Sequence, residues 1–358
     1  MVYHFIIVVW GSEYRDLFLR VVLPTHLSPG NLPSLPAHTW RYRIYAPAMD
    51  LDTIRRSNAY TRLVQLGPVE IHEIPEVNGT FKYKVVSDCH NHAIRAATQD
   101  KATLVFLTPD AIFADGAFAA MHRSACAGKQ VIVTAGLRVA KKTFVPAMLQ
   151  AFPVQKDGAM VLPPRALVGL ALGHPHPITE SLCWGARVSH TWPSHLYWRI
   201  GGEGLLARCF HLHPLMVNVP EVHLPENATV DGEFTERIVT DSEAIHVVTD
   251  SDEIAVCEIS SEELAVGEAR QAPLTPRQVA GWARVLANSQ HRRFFRERIR
   301  FHAGELSADW ERVERESDRV VRRVEQWLRV LSILRCYDEP LKRLRRRLRP
   351  WRERWGFR

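Results

Sequence analysis

The stretch LVFLTPDAIFADG, Leu104–Gly116, runs from strand-like apolar residues into an acid, Asp110, with a second acid, Asp115, five positions on. A buried strand that delivers a carboxylate to its C-terminal edge is a common device for holding a ligand or metal ion in an α/β protein. Pro109 and Asp110 are equally ordinary turn residues, so the surroundings must decide. Two imidazoles, His211 and His213, stand two apart in RCFHLHPL. On a strand they share a face and could bind a metal; the plainer arrangement is one packed and one hydrogen-bonded ring at a cleft rim. Acids gather twice more, as Asp231 and Glu233 in VDGEF and as Asp250, Asp252 and Glu253 in TDSDE, a DxD string after the strand-like AIHVV. Either cluster could deprotonate a hydroxyl or hold a cation, and exposed acidic turns have the same composition. HPHP, His174–Pro177, has a rigid spacing that either aims two imidazoles into a cleft or fixes a surface loop.

These residues need a scaffold. HFIIVVW is continuous, β-branched and aromatic and stops at Gly11, which predicts a buried first strand. SEYRDLFLRVVLPTHL then places Tyr14, Leu17, Phe18, Val21 and Val22 at helical spacing, with Ser12 as the cap. RYRIYAP predicts a second strand, DLDTIRRSNAYTRLVQLG a helix closed by Gly67, and VEIHEIP a third strand. KYKVVSDCHNHAIRAATQD predicts a helix leading into the strand ATLVFLTPD, followed by the helix FADGAFAAMHRSACAGK and the strand QVIVTAG. This alternation predicts an α/β fold with a mostly parallel, doubly wound sheet over residues 1 to about 140. Ligands of such sheets lie beyond the carboxyl ends of the strands, which puts Gly11, Pro47 and Asp110 along one edge. Backbone N–H groups after Gly11 and the amino end of the next helix suit a phosphate. No GxGxxG follows the first strand and no GxxxxGK[ST] occurs, which argues against a dinucleotide enzyme and a P-loop NTPase. Residues 141–272 are irregular and rich in Pro, His and Trp, the composition of loops that line substrate clefts. They are expected to form the acceptor-side half of the same catalytic domain.

The 358 residues, 46% of them hydrophobic, support a substantial core. No run approaches the roughly 18 to 20 apolar residues that span a bilayer, and MVYHFIIVVWG lacks the basic start and small-residue cleavage site of a signal peptide. Six scattered cysteines without a CxxC pair point to a reducing, cytoplasmic setting. Charge is uneven: residues 273–358 carry 23 Lys and Arg against 11 Asp and Glu, leaving residues 1–272 with 23 against 28. This basic C-terminal extension reads as helical, opening with Thr275 as N-cap and Pro276 at the first helical position. Val313, Val320, Val324, Trp327, Leu331 and Leu334 form a near-heptad stripe ended by Pro340. The stripe suits a partner helix in a homodimer through residues 308–337, or the chain's own catalytic domain, which is the favoured choice. The last 18 residues, Leu341–Arg358, carry nine Lys and Arg against one Glu, with Leu341, Leu344, Leu348, Trp351 and Trp355 at steps of three and four, and with Pro350 expected to kink the helix. One apolar and one cationic face suit an anionic membrane surface, with the chain peripheral on its cytoplasmic side. The interleaved Leu and Trp point away from nucleic acid.

HNHAIRAA, His90–Ala97, followed by ATLVFLTPD resembles the arrangement in glycosyltransferases of the GT-A type, in which a helix precedes a strand ending in an acidic metal motif. The resemblance covers roughly residues 1–255, and Thr108 stands where the first of two acids is expected. It implies a GT-A-like sheet that binds a nucleotide-sugar and transfers its sugar to a glycan or lipid-linked acceptor. Trp10, Gly11, Tyr14, His90 and Asp110 would then face the donor. A divalent cation, Mn or Mg, would be held by Asp110, with Asp115 or with His211 or His213, or its charge would be replaced by basic side chains. Asp231, Glu233, Asp250 or Asp252 would deprotonate or position the acceptor hydroxyl. The alternative in a different class is a non-catalytic scaffold with a GT-like sheet, recruited to a membrane or complex by its basic helices.

Overall fold

The computed structural model describes residues 1–76, 82–218, 224, 230, 232–239, 241–265 and 269–354, with 232, 233, 236, 264, 265 and 334–354 described by backbone alone. A seven-stranded sheet organises them. Its spatial order is β12 (Ile245–Val247), β6 (Val131–Thr134), β11 (His213–Val217), β4 (Thr103–Leu107), β1 (Tyr3–Val8), β2 (Trp40–Pro47) and β3 (Val69–Ile74). Every pairing is parallel except those of β11, which runs antiparallel between β4 and β6. The sheet is therefore mostly parallel, as the alternation of strands and helices predicts. β1 is central: Ile7 pairs with Ile44 on one side and Leu107 on the other, and all six of its residues are buried, which is why HFIIVV is apolar without a break. The winding runs β1 to β3 in one direction and returns through β4 in the other, so the reversal falls between the carboxyl ends of β1 and β4. That is where an open α/β sheet leaves a crevice.

Two small sheets stand beyond it. One is ordered β5 (Ala111–Phe113), β13 (Val256–Ser260) and β7 (Leu137–Ala140); the other β15 (Ile299–His302), β10 (Gly204–Cys209) and β9 (His195–Ile200). β8 (Ser189–His190) pairs with β14 (Ala269–Arg270). Helix Lys82–Asp100 lies against β1 and β4. Several local expectations change. The helix expected from Asp50 to Leu66 is two, Ala48–Arg55 and Asn58–Leu66, because Ser57 accepts from the Tyr60 N–H and restarts it. Gly11, with φ of 80°, occupies the cap position given above to Ser12, which is the first helical residue. The region 141–272 is less irregular than its composition suggests, since it supplies β11 and β12 to the main sheet.

Helix Ala308–Arg354 continues through Pro340, where the apolar stripe ends in sequence, and through Pro350. Proline removes one hydrogen bond but keeps a helical φ, and the Leu-, Lys- and Arg-rich neighbours are strong helix formers. Within the chain, Val313, Val320 and Val324 of its stripe are buried and Trp327 and Leu331 partly so. Trp310, Val313, Val320, Val324 and Leu328 are buried with Leu196, Trp198 and Leu206 of the outer sheet and with Val279 and Ala283 of helix Pro276–Leu286. A capping box between Thr275 and Gln278 starts that last helix, as the sequence predicts. Arg208 of β10, almost wholly buried, ties the long helix down by bonding Ser317 Oγ at 2.8 Å, Asp318 and the Arg296 carbonyl. Asp318 keeps a second partner, Arg298, at 2.6 Å, so removing Arg208 leaves no stranded charge and costs the buried hydrogen bonds it makes, about 2 kcal/mol. Arg208→Ala is accordingly expected to lower the unfolding free energy by about that amount in urea titration, whereas an unchanged midpoint would mean these bonds do not hold the helix.

Candidate functional site

β4 ends at Leu107, and the turn Thr108–Pro109–Asp110 leads directly into β5, the edge of a small sheet. Asp110 is fixed by that change of sheet: its carbonyl accepts from the Ile259 N–H at 2.9 Å, while Ala111 pairs with Glu258 of β13. The strand register then sets Glu258 against Arg138 of β7, whose Nη2 is 3.2 Å from Glu258 Oε2. Two carboxylates and one guanidinium thus meet at the carboxyl edge of the main sheet, brought there from positions 110, 138 and 258. Burial raises the Asp110 carboxyl above its usual range, opposed by a hydrogen bond from Thr108 and reinforced by the Glu258 charge. Burial likewise raises the Tyr14 phenol, with the Asp110 charge next in effect, so the first turn after β1 faces the same group.

A cavity of about 380 Å³ opens beside Glu258 and Arg138, with Thr179, Trp192, His195 and Tyr197 among its walls. Gly136 lines it too. A Cβ there would sit 2.5 Å from Glu258 Oε1 and 2.6 Å from its Cγ, so the glycine makes the room in which this carboxylate lies. Burial pushes the His195 imidazole down to about 3, with Arg138 contributing, and Ser194 Oγ lies 2.9 Å from its Nδ1. A neutral imidazole, a neutral phenol and a paired acid make this a polar pocket with little net charge.

The other residues singled out above fall as follows. Gly11 lies at the turn after β1, and the space a Cβ would take there is open. Trp10 is half-buried against the main core. His90 is edge-on to Phe106 at 5.1 Å, and burial followed by the His213 charge pushes it down to about 3. His213 is in β11, its Nε2 2.8 Å from the Phe106 carbonyl oxygen. His211 precedes that strand and packs on His291 and Trp282 at 4.4 and 5.5 Å, so the two imidazoles separate instead of sharing a face. Asp115 accepts from the Gly30 N–H at 2.7 Å and closes a loop. Asp250 lies 2.9 Å from His302 Nε2, and Arg165 Nε donates to both oxygens of Asp252 at 3.1 Å. Asp231 lies outside the described residues, and Glu233 is described by backbone alone. Sequence reasoning missed Glu258 and Arg138. In AVCEIS and GLRVA each is a single charge in a short apolar run, and only the pairing of β13 with β5 and β7 joins them to Asp110.

Among the described residues, the three-donor set able to surround a metal is Asp250, Asp252 and His302, whose ligand atoms lie within 4.8 Å of one another. Two carboxylates and an imidazole suit a divalent ion. Arg165 already occupies both oxygens of Asp252, holding that carboxyl below its usual range, and a cation would have to displace it. Asp110, His211 and His213 do not form such a set, and beside Asp110 the positive charge is supplied by Arg138.

No family model matches the chain, and no curated protein matches it. Among solved structures it is similar in part to S. aureus TarS (9% identity, 49% of this chain and 34% of that one, TM-score 0.27). It is also similar to mouse xyloside xylosyltransferase 1 (13%, 45% and 67%, TM-score 0.26) and to a glucose-1-phosphate thymidylyltransferase from Bacillus anthracis crystallised with sucrose (13%, 39% and 56%, TM-score 0.25). The chain thus spans about a third of TarS and just over half of the thymidylyltransferase.

The raised Asp110 carboxyl has a measurable sign. An aspartate that binds its proton more tightly when folded contributes stability that is lost as pH rises from the unfolded value, about 4, through the folded one. Asp110→Asn is expected to raise Tm at pH 7 and to lose that gain below about pH 4 in parallel melts. A variant that melts lower at pH 7 would count against the buried, strained carboxylate.

Proposed function

We propose that the protein transfers a sugar from a nucleotide-sugar donor to a glycan or lipid-linked acceptor. The observation that supports this best is the meeting of Asp110, Glu258 and Arg138 at the carboxyl edge, next to the reversal of strand order and beside a polar cavity. In this reading the donor lies across the ends of β1 and β4, its diphosphate against the backbone after Gly11 and its sugar hydroxyls on Asp110. Glu258 reaches both Asp110 and the cavity, so it is assigned the acceptor proton, a role for which Asp231, Glu233, Asp250 and Asp252 were the candidates in sequence. Arg138 is a positioning residue: its guanidinium holds the Glu258 carboxylate at 3.2 Å, and that carboxylate takes the proton as the hydroxyl attacks the donor carbon and the nucleoside diphosphate leaves. Among the described residues, the donor set around Asp110 does not make a cation centre by itself.

The C-terminal helix extends the proposal to an anionic membrane surface. No helix among the described residues is long and apolar enough to cross a membrane. Val330 and Ile333 are exposed, beyond the buried Leu328. Beyond them Leu341, Leu344, Leu348 and Trp351 fall on one face of the backbone helix by spacing, with Lys and Arg between them; residues 355–358 lie outside the described set.

The test is a thermal-shift screen of uridine, guanosine and cytidine diphosphate sugars, with manganese and with EDTA. At least one is expected to raise Tm in both buffers and to lose its effect in Asp110→Ala. Glu258→Gln and Gly136→Ala are expected to keep the donor shift while transfer falls about 100-fold. If no nucleotide-sugar shifts the melt, the scaffold alternative replaces this reading.

A further inference from the structure

We propose that the cavity beside Glu258 is the subsite for a neutral, polyhydroxylated sugar ring, the end of the acceptor that receives the transferred unit. This rests on the glycosyl-transfer reading and adds the chemistry of its second substrate.

The charges come first. Arg138 and Glu258 are the charged side chains of the lining, and they are paired with each other at 3.2 Å. His195 is held neutral by burial, and burial raises the Tyr197 phenol far above its usual range, so neither supplies a charge near neutral pH. A phosphate or carboxylate entering here would meet Glu258 and find Arg138 already engaged with it, with the imidazoles of His190 and His211 as the remaining basic groups of the lining. Setting an anion beside a carboxylate whose guanidinium is already paired is unfavourable.

The polar atoms exclude the opposite class. The Thr179 hydroxyl donates to the Arg138 carbonyl at 2.8 Å, which leaves its oxygen able to accept, and Ser194 Oγ and His195 stand close by. A purely apolar ligand would take these groups from water and return no hydrogen bonds. A sugar satisfies both demands, with hydroxyls for the polar wall and a C–H face for an aromatic ring. Trp192 supplies the ring. It is 44% exposed, yet the ring is placed by an edge contact with Trp282 at 5.6 Å, and its backbone N–H donates to His190 Nδ1 at 3.0 Å. The cavity of about 380 Å³ has the size of a small-molecule site. Glu258 and Trp192 line the same cavity, so a ring seated on Trp192 shares it with the carboxylate whose charge acts on Asp110.

Saturation-transfer NMR on the full chain tests this, using methyl glycosides of glucose, galactose, mannose, xylose and N-acetylglucosamine, with glucose 6-phosphate and glucuronic acid as anionic probes. At least one neutral glycoside is expected to bind and the two anions are not. Trp192→Ala, at a half-exposed position and so with an unchanged melt, is expected to weaken the neutral probe about fivefold, the loss of one aromatic face. Thr179→Val is expected to weaken it by a similar factor. No binding by any neutral glycoside, stronger binding by an anion, or wild-type affinity in both variants would overturn the assignment. Nucleotide-sugar binding is read separately: a donor shift without glycoside binding removes this inference and leaves the transferase standing. Glycoside binding without any donor shift removes the transferase and leaves a sugar-binding cavity. A short oligosaccharide or lipid-linked sugar binding at least tenfold tighter than its methyl glycoside would identify which acceptor presents the ring.

Discussion

The repulsion between the Asp110 and Glu258 carboxylates at the carboxyl edge is the interaction on which the rest of the arrangement depends. Burial drives Asp110 toward its neutral form, and the Glu258 charge drives it further. The pair is tolerable because Arg138 stands against Glu258 on the next strand, and because a hydrogen bond from Thr108 favours the Asp110 carboxylate. The register of β13 places Glu258 opposite Ala111, which follows Asp110, on one side and Arg138 of β7 on the other, in a sheet apart from the main one. Even the empty side of Gly136 is part of the same arrangement, since any larger residue would push against Glu258. A fold that only needed stability would fill this spot with apolar side chains, which cost nothing to bury.

The strands that carry the core were legible in sequence because they are local. HFIIVV, RYRIYA and TLVFL are continuous runs, and the parallel order follows from helices alternating with them. Asp110 was legible for the same reason, being the first acid after a buried run. What sequence could not supply was pairing across distance. β11 enters the sheet between β4 and β6 from more than 75 residues further along the chain, and HPLMV has no feature that names its neighbours. Glu258 and Arg138 stayed hidden for that reason. The histidines misled in the same way: alternation would put His211 and His213 on one face, but the strand starts only at His213, and His211 is drawn off by the rings of His291 and Trp282. The stripe on the long helix gave a pattern with two solutions. Period alone cannot choose between a second copy and the chain's own sheet, whereas the burial of Trp310 and Val324 does.

That docked helix bears on the cavity through the two faces of β9 and β10. Successive residues of a strand point to opposite sides. Tyr197, Leu205, Ala207 and Cys209 join the main core, while Leu196, Trp198, Ile200 and Leu206 join the smaller cluster under the helix. Tyr197, a wall of the cavity, therefore lies between two residues whose side chains are gripped from behind by Val313, Val320 and Val324. Arg208 belongs to the gripped face as well, and its bonds to Ser317 and Asp318 fix the helix along the strand direction as well as against it. A sheet of three short strands with one face in water would be too weakly held to keep a side chain within a few tenths of an ångström. Covering its outer face with a helix, and pinning that helix by a buried ion pair, turns β9 into a rigid wall.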